Sequence, residues 1–123
     1  MALDRNRILQ RFLTLISDIS DKEFQMRVWI KGIGPECIDF DETCDYFFVE
    51  GVDVIKNDKD YGITEHQEKL LTSLEKIFDA FLDDHLEEPI EFINTPEWQH
   101  VVDEAKKVLE AFNYIRPDFQ DLV

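Results

Sequence analysis

"TEHQEKLLTSLEKIFDAFLDD", residues 64–84, is where helix separates from strand in this chain. Leu70, Leu71, Leu74, Ile77, Phe78, Phe81 and Leu82 recur at the three- and four-residue spacing that lines one face of an α-helix, with charged residues between them. Thr64 and Gln67 open the segment as a capping box, each side chain satisfying a free backbone N–H at the other position. Its end is odd. Asp83 and Asp84 would oppose the helix macrodipole, so the simplest reading stops the helix a turn earlier.

The same grammar extends in both directions. In segment 4–19, Ile8, Phe12, Leu15, Ile16 and Ile19 share a face, with Leu9 and Leu13 beside it and Arg5, Arg7 and Arg11 mostly elsewhere on the turn. "SDKE", residues 20–23, reads as a second capping box from Ser20 to Glu23. It starts a short helix through Phe24, Val28 and Trp29 to about Lys31, which Gly32 and Pro35 end. "DFDE", residues 39–42, is a third box, from Asp39 to Glu42. Behind it Phe40, Cys44, Phe47 and Phe48 take one face, and Asp41, Glu42 and Asp45 the other. This helix is expected to lose definition near Gly51, leaving a fraying end and loop as far as residue 63. "NTPEW", residues 94–98, opens the last helix with Thr95 as N-cap and Pro96 at the first position. Trp98, Val101, Val102, Ala105, Val108, Leu109 and Phe112 form its apolar stripe. Residues 113–123 are a tail expected to dock through Tyr114, Ile115 and Phe119. The reading is all-α: about five helices in a single bundle-like domain over residues 1–123. Four glycines and four prolines are too few for the many turns of a sandwich or barrel.

Charge narrows the partners. The chain carries a net −15, with 28 acidic against 13 basic side chains. Residues 1–31 hold six basic and four acidic groups, whereas residues 32–63 hold two against nine and residues 64–97 two against ten. Phosphate neutralisation needs the opposite sign, which argues against nucleic acid as a ligand. No secretory signal and no membrane-length apolar run is visible, and two cysteines in such a chain read as thiols. A cytoplasmic address is the expectation.

The motifs for chemistry are thin. "GIGPEC", residues 32–37, contains G-x-G, but no strand precedes it and no Lys-Ser/Thr follows. Cys37 and Cys44 stand seven apart, wider than zinc-knuckle or C-x-x-C spacing, and Cys44 shares the aromatic face. Glu97 and His100 give one Glu-x-x-His motif where a di-iron bundle needs two. No serine has an arguable His–Asp partner, so no catalytic residue and no cofactor is assigned. An alternative keeps Glu75, Asp79 and Asp83, an i, i+4, i+8 row, as oxygen ligands for Mg²⁺ in a metal-dependent all-α hydrolase of a phosphorylated small molecule.

The leading expectation is a binding module that docks a basic protein. Its candidate contacts lie around the joint before "DFDE": Trp29 as an aromatic anchor, with Glu36, Asp39, Asp41, Glu42 and Asp45 as an acidic surround. The run "EFQMRVWIKGIGPE", residues 23–36, and the late "NTPEWQHVVDEAKKVLEAF", residues 94–112, resemble a set of small, acidic, uncharacterised bacterial proteins that pair an RVWI-type segment with a PEW helix. That resemblance brings no activity or catalytic residue with it. In size and acidity the chain also resembles immunity proteins that neutralise cationic nuclease toxins.

Overall fold

Hydrophobic periodicity and end signals place the helices closely. The computed structural model describes residues 5–36, 38–85 and 87–114, and contains α1 (Arg5–Ser20), α2 (Lys22–Phe24), α3 (Phe40–Lys56), α4 (Glu65–Asp84), α5 (Pro89–Phe92) and α6 (Pro96–Ala111). A π-helical segment, Gln25–Ile30, follows α2 without a break. The described residues contain no strand, and none of their helices is long and apolar enough to cross a membrane. The fold is all-α.

The capping boxes at Asp39–Glu42 and Thr64–Gln67 form in both directions, and Thr95 accepts a hydrogen bond from the Trp98 N–H. Such caps contribute about 0.5–2 kcal/mol each. Four expectations change. Ser20 is not a cap: it ends α1 and its hydroxyl donates to the Ser17 carbonyl at 2.8 Å. Asp21 caps instead, accepting from Phe24 N–H at 3.1 Å, because the chain leaves α1 one residue later than the motif implied. The third helix does not fail at Gly51 but continues to Lys56, since a glycine there lets the backbone lie against Phe12. Helix α4 runs through Asp84, and the backbone N–H of His85 still reaches the Phe81 carbonyl. Finally, α5 adds a short turn that buries Phe92 and Pro89. In the tail, Tyr114 docks by a 2.7 Å hydrogen bond to Thr14, while Ile115 and Phe119 lie outside the described residues.

Four long helices make the core. α6 packs mainly on α4 and α1, and α3 spans from α1 to α4. Antiparallel neighbours follow from two contacts at one end: Gln67, at the start of α4, bonds the carbonyl of Ala111 at the end of α6, and Arg5 pairs with Asp60 just after α3. This is an up-down-up-down bundle. Phe12, Ile16, Phe47, Leu74, Phe78, Trp98 and Val101 are at most 1% exposed, each contributing about 1.5–3 kcal/mol by burial.

Candidate functional site

One end of the bundle gathers the joint singled out in the sequence. Here α1 gives way to α2, α3 and α6 begin, and α4 ends. Gly32 takes φ +65°, the left-handed conformation that stops the π-helical segment. Gly34, at φ +124°, lies against the Arg27 guanidinium so closely that a Cβ would collide with it. Arg27 forms a bidentate pair with Glu36, at 2.9 and 2.8 Å, and also donates to the Ile33 carbonyl at 3.1 Å. The bond to Glu36 raises the Arg27 pKa, and the pair clamps the loop into a fixed shape.

Short α5 packs on the π-helical segment. That contact brings the α4–α5 turn over the joint and leaves a cleft of about 370 Å³ between them, lined by Trp29, Asp39, Phe40, Asp41, Leu82, His85, Glu87, Glu88 and Pro89. Such a volume is at the small end of ligand sites. Four carboxylates and no lysine or arginine line it. His85 stacks on Phe81, with centroids 4.5 Å apart and planes 14° from parallel, and its Nδ1 lies 3.1 Å from Glu87 Oε2. Asp39 Oδ1 is occupied as the α3 cap. The side chains of Asp41 and Glu88 make neither a hydrogen bond nor an ion pair among the described residues.

The cleft rests on an aromatic cluster. Trp98, fully buried, has Trp29, Phe40, Phe78, Phe81 and Phe92 within 4.9–6.1 Å of its centroid. Its Nε1–H donates to Gln25 Oε1 at 2.8 Å, while Gln25 Nε2 donates to the carbonyls of Asp18 and Ile19 at 2.9 and 2.8 Å. Gln25 thus closes the end of α1 and satisfies the buried indole in one side chain; leaving such groups unpaired costs about 1–3 kcal/mol. Trp29 Nε1, by contrast, is shielded from solvent with no partner among the described residues.

The candidates divide. Trp29, Asp39 and Asp41 meet in the cleft. Glu36 is held by Arg27, and Glu42 turns back to the Asp39 N–H at 3.4 Å. Asp45 is exposed farther along α3. Sequence reasoning missed Glu87, Glu88 and His85 as neighbours of Trp29; the acidic run after α4 was visible, but its fold-back was not. Glu75, Asp79 and Asp83 remain a row along α4, and no three His, Cys, Asp or Glu side chains among the described residues are grouped to hold a metal ion. Cys44 is half-buried; burial first, then Asp41, Asp45 and Asp39, push its thiol up to about 12. Cys37 lies outside the described residues.

No family model matches the chain, and neither a curated protein nor a solved structure shows significant similarity to it.

Proposed function

We propose that this protein is an acidic, cytoplasmic binding module that docks a basic protein partner, with a lysine or arginine of that partner entering the cleft. The carrying observation is a small aromatic-walled cavity with four carboxylates and neither lysine nor arginine in its lining. Trp29 and Phe40 contribute aromatic rings to the lining, and Asp41 and Glu88 offer acceptors not engaged within the described structure. One further feature favours a cation here. The last turn of α4 contains Asp83 and Asp84 and no basic residue, so its negative end is uncompensated. A toxin-neutralising immunity protein is one concrete form of this reading, because a cationic nuclease is a partner of the required charge.

An arginine-rich peptide is the minimal probe. Asp41→Asn with Glu88→Gln should weaken its binding by about tenfold at low salt, a difference of 1.4 kcal/mol, and flatten the salt dependence. The charge-matched control, Glu65→Gln with Glu68→Gln, lies at the other end of α4, about 30 Å away by helix rise. Equal weakening by both pairs would mean that only net charge matters and the cleft does not.

A further inference from the structure

The outward face of α3 is unfinished as a helix surface. Tyr46, Val49 and Val52 are 50%, 72% and 53% exposed, although each belongs to a helix that buries its opposite face against α1 and α4. Glu42, Asp45, Val49, Val52 and Lys56 follow the alternating three- and four-residue steps of a heptad seam, and Tyr46 borders it. This is the spacing by which one helix receives the knobs of another. Its first half is acidic and its middle is apolar. Asp41 belongs both to this face and to the cleft, so the two surfaces are continuous.

We infer that the outward face of α3 is a helix-docking seam, and that its occupant is a basic amphipathic helix of the partner. Apolar residues of that helix lie on Tyr46, Val49 and Val52, while its cationic residues face Glu42, Asp45 and Asp41. The inference rests on the reading of the cleft as a cation site and gives the partner a secondary structure. Charge complementarity selects this occupant. A second copy of the chain could set Glu42 against Lys56 in an antiparallel pair centred on Val49, but it would bring two molecules of net −15 together across a face rich in carboxylates. An extended segment finds no sheet edge among the described residues to extend.

The test uses designed peptides of about 18 residues, close to the length of α3. One carries two arginines and then two leucines at successive seam positions. A second has the same composition with the seam scrambled, and a third keeps the leucines but replaces arginine by glutamate. Fluorescence anisotropy at low ionic strength should show the first binding about tenfold or more tightly than either other. Val49→Asp, at a position open enough to leave the fold intact by circular dichroism, should remove that preference without changing the scrambled peptide's affinity. Tyr46→Ser with Val52→Ser should do the same. A preference that survives both variants overturns the seam, and so does equal binding of the glutamate peptide. Sedimentation showing a wild-type dimer that Val49→Asp dissociates also overturns it, by assigning the face to a second copy. Loss of the cleft is read separately: if Asp41→Asn with Glu88→Gln leaves both arginine peptides unaffected, the cation reading itself fails.

Discussion

Cys44 shows how much one residue's surroundings can say. Its sequence position, on the Phe40–Phe47 face, marked it as a small core residue, and it lies half-buried there with three carboxylates near. The unfolded thiol ionises around its ordinary 9.0 and the folded one at about 12, so the folded state holds the proton more tightly. The resulting stabilisation is complete below pH 9 and is lost as pH rises from there toward 12, at about 1.4 kcal/mol per pH unit. Unfolding free energies of wild type and Cys44→Ala, compared by urea titration at pH 8, 9 and 10, should therefore converge only slightly from pH 8 to 9 and by about 1 kcal/mol from pH 9 to 10; parallel curves would remove the effect. Gln25 was less legible. A glutamine between Phe24 and Val28 reads as a solvent-facing residue, because nothing local announces that an indole 73 positions away needs an acceptor. Ser20 and Asp21 illustrate the same limit, since both are good cap residues and only the path leaving α1 chooses between them.

At the scale of elements, local chemistry was decisive for starts and weak for ends. Asp39, Thr64 and Thr95 announce their helices because a cap is completed within four residues. Gly51 misled because glycine lowers helix propensity by about 1 kcal/mol, whereas its packing partner, Phe12, lies 39 residues earlier in the chain. A Cβ at that position would sit 3.3 Å from Phe12 Cζ, and the Phe12 ring is stacked on Phe47 at 5.6 Å. Gly51→Ala should accordingly be near neutral, the propensity gain of about 1 kcal/mol offsetting the tight contact. Gly51→Val should destabilise by about 1–3 kcal/mol, because its added methyls need room that the stacked rings already fill. Denaturant midpoints at constant slope would check both. The cleft was illegible for a related reason. Half of it comes from the joint before α3 and half from the turn after α4, and only the packing of α5 on the π-helical segment brings them together.

Over the whole molecule, the all-α architecture follows from signals repeated along the chain, each consistent with the others. The charge distribution follows as well, though what it costs is visible only in three dimensions. Arg5 and Arg11 each pair with an acidic residue of the middle region, while the end of the bundle holding the cleft keeps its carboxylates without a lysine or arginine in the lining. Self-repulsion of this surface should make the fold sensitive to ionic strength. Raising salt from 0.01 to 0.15 M shortens the screening length from about 30 to 8 Å, and should add about 1 kcal/mol, or roughly 3–6 °C in Tm. A calorimetric Tm that does not move would show that the carboxylates are spaced widely enough not to interact. The two tryptophans give the molecule one more property. Their rings lie 6.1 Å apart with planes crossing at 61°, one sealed in the core by Gln25 and the other forming a wall of the cleft. Transition dipoles that close and that oblique couple, so the near-ultraviolet circular dichroism of the pair carries a signature of their relative orientation. A guest that tilted Trp29 would rewrite that signature while Trp98 stayed fixed, so occupancy of the cleft could be followed without an added label.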